Sequence, residues 1–145
     1  MTGDGAPRGK EYVLEGFALP DQLDALHTLL AQAATEHPGL DPMDVMLFET
    51  AIMEIANNVI KHGQPQGEVR WRFTIRVREH DIEAELDDTG QAFTPVQNKA
   101  MPGEDAESGR GLAIAEALLD QIEFERMGDV NHWRMARRLG HSPRV

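Results

Sequence analysis

The feature that most constrains the fold is an unbroken alternation of apolar and polar residues over positions 69–77. A period of two is typical of a strand with one buried face. A second alternating run, residues 82–86, follows after a short segment around Glu79 and Asp81. We therefore predict an antiparallel hairpin, and its apolar face must be covered by helices.

The polar face of this hairpin carries arginines on the first strand and glutamates on the second. We predict that these side chains form cross-strand ion pairs on a solvated surface. The alternative is a nucleic-acid patch, which the overall charge disfavours. The formal net charge is -11, from 14 Lys plus Arg against 25 Asp plus Glu, and such a field repels nucleic acid and anionic lipid.

The remaining segments predict one α+β domain over residues 1–145, with an ordered core of about 10–138. A first strand is predicted within 11–19, and a helix then runs until His37. Asp41 and Pro42 cap a second helix that continues to His62. A third helix follows Gly111, and residues 122–137 form a closing hairpin. The predicted fold class is an α/β (α+β) two-layer sandwich, with a mostly antiparallel mixed sheet and helices on one face.

Targeting and redox signals are absent from the sequence. There is no cysteine, no run approaching the ~18 apolar residues of a membrane span, and no apolar core of a secretory signal near the N-terminus. We therefore expect a cytoplasmic protein.

Glu54 and Asn58 lie one helical turn apart on the flank of the second predicted helix. The apolar stripe of that helix consists of Phe48, Ala51, Ile52, Ile55 and Val59. A carboxylate beside a carboxamide suits a proton acceptor and a hard cation. Such pairs are common on exposed helices, so the pair alone is weak evidence of a site.

Two glycine-bearing segments follow downstream. Asp88 and Gly90 end the predicted hairpin, and a long loop, a candidate lid, continues to Ser108. Gly109 and Gly111 then precede a helix, where free N–H groups can bind an anion. Taken singly, these are also ordinary turn and helix-start features.

The order of these segments resembles the ATP-binding domain of the superfamily that includes gyrase, histidine kinases, the mismatch-repair ATPase and the heat-shock protein of ninety kilodaltons. Within it, the chain is most similar to the small anti-sigma-factor serine/threonine kinases. Residues 88–95 and 109–114, the latter followed by Asp120, are similar to that family's second and third ATP motifs. The chain departs at Ala92, where many relatives have a second glycine. The implied fold is the Bergerat ATP-binding fold.

The resemblance implies a role for each matching residue. Asn58 coordinates Mg2+, Asp88 accepts a hydrogen bond from the adenine amino group, and Gly90 lets the base approach the backbone. Glu54 is the general base of phosphoryl transfer. The residues implied at the phosphates and the lid are Ser108, Gly109, Arg110, Gly111 and Leu112.

The first functional hypothesis is an ATP-binding anti-sigma-factor serine/threonine kinase. It would sequester a sigma factor and phosphorylate an anti-anti-sigma (STAS-domain) partner, with no direct nucleic-acid or membrane contact. The second is a nucleotide-gated partner-binding module without kinase activity. A third, the catalytic fragment of a histidine kinase, is less favoured because few residues precede the first predicted strand. The resemblance also suggests a homodimer.

Overall fold

The computed structural model describes residues 10–63, 68–90 and 104–140, and for residues 63 and 104–109 it describes the backbone alone. Within these residues lie five strands and three helices. In chain order they are β1 (Glu11–Phe17), α1 (Gln22–Glu36), α2 (Pro42–Gly63), β2 (Arg70–Val77), β3 (Asp81–Asp88), α3 (Glu104–Leu118), β4 (Gln121–Met127) and β5 (Val130–Arg138).

The strands form one sheet in the order β1-β2-β3-β5-β4, and all four pairings are antiparallel. The predicted hairpin is β2 and β3, and the predicted closing hairpin is β4 and β5. Because β5 lies between β3 and β4, the end of β3 is brought against residues more than forty positions away in the chain. This crossover places Asp88 opposite Asn131.

The helices cover one face of the sheet, as the alternating pattern predicts. α1 packs on β1, α2 contacts β3 and β5, and α3 packs on α2. The alternate residues of β2 that point to the helices are almost fully buried, and they meet the apolar stripe of α2 in one core. The α+β two-layer class is therefore confirmed. Phe48, Ile52 and Phe73 have no exposed surface in this core, so truncating Phe73 to alanine should cost about 3–5 kcal/mol.

The other face of the sheet carries the predicted ion pairs. Arg76 contacts Glu11 at 2.8 Å on one neighbouring strand and Glu83 at 3.2 Å on the other. Arg134 on β5 contacts Glu85 at 3.0 Å. Cross-strand pairing is confirmed, and because arginines from three positions converge on Glu83, only 6% of that residue is exposed.

The helix caps agree with the sequence in one case and differ in another. Asp41 Oδ1 accepts a hydrogen bond from the Met43 N–H at 2.9 Å, which confirms the predicted cap of α2. α3, however, begins at Glu104, so the predicted helix start after Gly109 and Gly111 is wrong, and so is the predicted loop over residues 104–108. Residues 104–107 are acidic or, at Ala106, have good helix propensity, and acidic residues stabilise the first turn of a helix. This local preference outweighs the glycines that follow.

The helices are also fastened at the end of the sheet opposite Asp88. Arg137 donates to Asp44 Oδ1 at 3.1 Å and to the Leu118 carbonyl at 2.7 Å. The Gly140 N–H donates to Asp44 Oδ2 at 3.0 Å. Among the described residues, no helix is long and apolar enough to cross a membrane.

Candidate nucleotide site

Glu54 and Asn58 lie on α2, on the side that meets α3. Glu54 is partly exposed, whereas Asn58 is 4% exposed. A Cβ added at Gly111 of α3 would lie 2.6 Å from Glu54 Oε1, closer than real Cβ contacts allow. Gly111 is therefore the residue that lets the backbone of α3 approach the Glu54 carboxylate, and the structure brings these two predicted residues together.

Asn58 contains an unusual buried atom. Its amide Nδ2 is fully buried and has no hydrogen-bond partner among the described residues. Leaving a buried polar group unpaired costs about 1–3 kcal/mol. A bound group that engages this carboxamide would remove the penalty, so Asn58 has the properties of a ligand-binding residue.

Asp88 is the last residue of β3, points to the helix-covered face and is 3% exposed. Its Oδ1 accepts hydrogen bonds from the Gly90 N–H and from Asn131 Nδ2, both at 2.9 Å. Burial raises the pKa of Asp88, while the bonds from Asn131, Gly90 and Trp133 and the charge of Arg126 oppose that rise. The site therefore contains a buried carboxyl group held in one orientation.

The turn after Asp88 has little free space. A Cβ added at Gly90 would lie 3.0 Å from Asp88 Oδ1 and 3.6 Å from a methyl group of Val69. Thr89 fastens the turn to β2, because its N–H donates to the Arg70 carbonyl at 3.0 Å and its Oγ1 accepts from the Arg70 N–H at 3.0 Å. Gly90 thus leaves room for the Asp88 carboxylate beside the turn. That Gly90 lets an adenine base approach the backbone stays a prediction.

Chain connectivity places the two parts of the site at the same end of the sheet. Asp44, at the start of α2, bonds to Arg137 at the end of the sheet away from Asp88. α2 ends at Gly63, ahead of the start of β2 at Arg70, so α2 runs toward the Asp88 end. The same Arg70 bonds to Thr89, beside Asp88. The second half of α2, which carries Glu54 and Asn58, is therefore directed toward the Asp88 turn.

The remaining predicted residues lie on α3. Because α3 starts at Glu104, residues 109–112 lie beyond its first turn, where N–H groups normally bond to carbonyls four residues back. Arg110 is exposed, and the Leu112 side chain is buried in the core. The side chains of Ser108 and Gly109, and the loop positions that include Ala92, lie outside the residues described.

Sequence reasoning missed two residues of this site, Arg126 and Asn131. Arg126 Nη1 donates to the Gly90 carbonyl at 2.8 Å and to Asn131 Oδ1 at 3.0 Å. The sequence places both residues in the closing hairpin but contains no signal that this hairpin lies beside β3. Only the strand order brings them to Asp88.

A cavity of about 520 Å³ opens at the same end of the sheet. Its lining includes Phe17, Arg70, Arg72 and Asp87, whose side chains lie on the face without helices. Asp88 also borders this cavity. Its side chain points to the helix-covered face, however, so we assign the cavity no part in the site.

The comparisons with known proteins agree with this geometry. The family model described as histidine kinase-like ATPase domain matches residues 17–137, a stretch that contains every candidate site residue named above. A search of curated proteins gives no match. With most of its length matched, the chain belongs to the family of histidine kinase-like ATPase domains.

Proposed function

We propose that the protein is an ATP-dependent serine/threonine kinase that holds a sigma factor and phosphorylates an anti-anti-sigma partner. Membership of the ATPase family supports ATP as the ligand. The resemblance to anti-sigma-factor kinases supports the regulatory role. The observation that carries the proposal is the Glu54 carboxylate, which lies against Gly111 and one turn from the Asn58 amide, whose nitrogen has no partner in the described part of the chain.

The residues present fit a magnesium-bound nucleotide. Mg2+ prefers oxygen ligands and is commonly held by one or two side chains together with phosphates and waters. Asn58 supplies a side-chain oxygen, and among the described residues its carboxamide nitrogen has no hydrogen-bond partner that would fix the group in another role. When bound, the ion neutralises charge on the phosphates. Asp88 accepts a hydrogen bond from the adenine amino group.

Glu54 acts in the transfer step as the proton acceptor. The hydroxyl oxygen of a serine or threonine forms a bond to the terminal phosphorus of ATP, and the bond from that phosphorus to the bridging oxygen breaks, which releases ADP. The hydroxyl proton passes to the Glu54 carboxylate. Gly111 leaves room for that carboxylate, because a side chain at position 111 would collide with it.

The test is transfer of labelled phosphate from ATP to an anti-anti-sigma protein encoded by the same genome. The wild type and Glu49→Gln should transfer phosphate, whereas Glu54→Gln should lose about 100-fold or more in rate, because general-base catalysis typically contributes that much. Glu49 is a matched control because it lies on the same helix but pairs with His27 of α1. ATP binding should survive in both variants. Equal transfer by Glu54→Gln and wild type would contradict the catalytic role.

A second candidate function is a nucleotide-gated binding module that sequesters its partner without modifying it. It is favoured by the close contact of Glu54 with α3, because a carboxylate in that position also serves to pack two helices. In that case the partner's mass stays unchanged after incubation with Mg-ATP, while ATP still changes the affinity for the partner. Phosphoryl transfer by the wild type rules this candidate out.

A further inference from the structure

We infer that Arg126 and Asn131 act together as positioning residues that hold Asp88 as a hydrogen-bond acceptor and so select purines with a 6-amino group over 6-oxo purines. This inference rests on the proposed ATP site and adds its base specificity. It is carried by a chain of hydrogen bonds that joins the β4–β5 turn to the end of β3.

The first link is Arg126. Its Nη1 donates to the Gly90 carbonyl at 2.8 Å and to Asn131 Oδ1 at 3.0 Å, and its Nε donates to the Gly128 carbonyl at 3.0 Å. A guanidinium group has only donors. Whatever atom of Asn131 faces Nη1 must therefore be the carboxamide oxygen, so Arg126 fixes which way Asn131 points.

The second link follows from the first. With its oxygen directed to Arg126, Asn131 directs Nδ2 to Asp88 Oδ1 at 2.9 Å, and it also approaches the Gly90 carbonyl at 3.4 Å. An amide NH2 group can only donate. Asp88 Oδ1 must therefore be an acceptor, and the Gly90 N–H at 2.9 Å makes the same demand.

These hydrogen bonds determine what the other carboxylate oxygen of Asp88, Oδ2, can do. The two bonds donated to Oδ1, together with the bond from Trp133, favour the ionised form of Asp88, in which Oδ2 can only accept. Burial favours the protonated form and raises the pKa of Asp88. The hydrogen bonds to Asp88 therefore oppose the tendency of this buried carboxyl group to keep its proton. The groups around this carboxyl are Arg126 from β4, the charged neighbour, with Asn131 and Trp133 from β5 and the Gly90 N–H. An ionised Asp88 accepts from a 6-amino group and repels a 6-oxo group.

The experiment compares Mg-ATP with Mg-inosine triphosphate, which carries a 6-oxo group, by calorimetric titration of the full chain. The wild type should prefer ATP by about 100-fold or more, because a site built to hydrogen-bond one group rejects an analogue that cannot do so. Asn131→Asp puts a second carboxylate beside Asp88, and Arg126→Gln removes the group that orients Asn131. Each should reduce the preference about tenfold or more.

His132→Asn is the matched control. His132 is the next residue on β5 and pairs with Asp87 on the opposite face at 2.5 Å, so its replacement should leave the base preference unchanged. Arg126 is exposed, so Arg126→Gln should fold even if Asn131→Asp does not. Thermal unfolding of each variant checks this.

A pH series separates positioning from a general structural role. In the wild type, ATP affinity should fall as pH is lowered through the raised pKa of Asp88, and in Arg126→Gln the fall should begin at higher pH. A folded Arg126→Gln variant with the wild-type preference and pH profile would overturn the inference and leave ATP binding standing. If the wild type binds no ATP, both the inference and the proposed site fail. Phosphoryl transfer has no part in this test.

Discussion

Asp88 shows, at the scale of a single residue, how a binding role and stability can conflict. Its pKa is raised mainly by burial, so the folded protein binds this proton more tightly than the unfolded chain does. Ionisation of Asp88 therefore opposes folding. The folded state gains stability from holding this proton. That gain is fully present below the ordinary pKa of an aspartate, is lost as pH rises through the raised pKa, and stays lost at neutral pH.

We predict from this sign that Asp88→Asn raises the free energy of unfolding at pH 7 but weakens ATP binding. The carboxamide oxygen can still accept the bonds from Gly90 and Asn131. The amide NH2 would then face the adenine amino group, and losing a hydrogen bond to a charged group costs about 1.5–3 kcal/mol, or roughly ten- to a hundredfold in affinity. Urea unfolding at several pH values and ATP titration provide the measurements.

The pH series contains its own control. Relative to the wild type, Asp88→Asn should gain stability as pH rises from 3 toward neutrality, whereas Asp87→Asn, one residue earlier on the face without helices, should not gain in this way. If Asp88→Asn were less stable than the wild type at every pH, the carboxylate would be a net stabilising group. The interpretation of the raised pKa would then be wrong.

At the scale of elements, the contact between α2 and α3 depends on one missing side chain. A Cβ at Gly111 would lie 2.6 Å from Glu54 Oε1, and that atom is the mobile end of a side chain. Gly111→Ala should therefore displace the carboxylate rather than separate the helices. Alanine also improves helix propensity by about 0.5–1 kcal/mol over glycine.

The expected result is a variant at least as stable as the wild type that has lost most of its phosphoryl transfer. Gly39→Ala is a suitable control, because a Cβ there would meet no atom within 4 Å. Unfolding in urea and the labelled-phosphate assay measure the two effects. Full transfer by Gly111→Ala would show that the position of Glu54 is not set by this contact.

The sequence predicted those elements whose signals are local. The alternation in β2, the Asp41 cap of α2 and the ion pairs between β2 and β3 each depend on a few neighbouring residues. The start of α3 differs from the prediction because the acidic residues before the glycine pair already form the first turn of the helix. Within the candidate site, the placement of Glu54 and Asn58 one turn apart on α2 and the turn at Asp88 follow from spacing, because both are short-range patterns.

At the scale of the whole molecule, contacts that depend on strand order could not be predicted. Asn131 reaches Asp88 across 43 residues and Arg137 reaches Asp44 across 93. The first contact requires β5 to lie beside β3, and the second requires β5 to lie under the start of α2. No local pattern in the chain specifies either neighbour. The strand order thus brings Arg126 and Asn131 into the site. The position of β5 also allows the Asp44–Arg137 contact at the other end of the sheet.

We expect the buried ion pair between Asp44 and Arg137 to stabilise the fold and to have no part in ATP binding. Asp44 and Arg137 are 3% and 8% exposed, and together they join the start of α2, the end of α3 and β5. Removing one partner of a buried ion pair leaves an uncompensated charge and typically costs about 3–5 kcal/mol. We expect Asp44→Asn and Arg137→Met each to lower the free energy of unfolding by about that much.

The double variant Asp44→Asn/Arg137→Met separates the cost of an unpaired buried charge from the cost of lost packing. Because Arg137→Met in an Asp44→Asn background removes the unpaired charge, the double variant should lose less than the sum of the single losses. ATP affinity of the folded fraction should stay at the wild-type value, since this pair lies at the end of the sheet away from Asp88. Additive losses in urea unfolding would show that the two side chains stabilise the fold independently. A fall in ATP affinity would show that the Asp44–Arg137 pair affects the nucleotide site through α2.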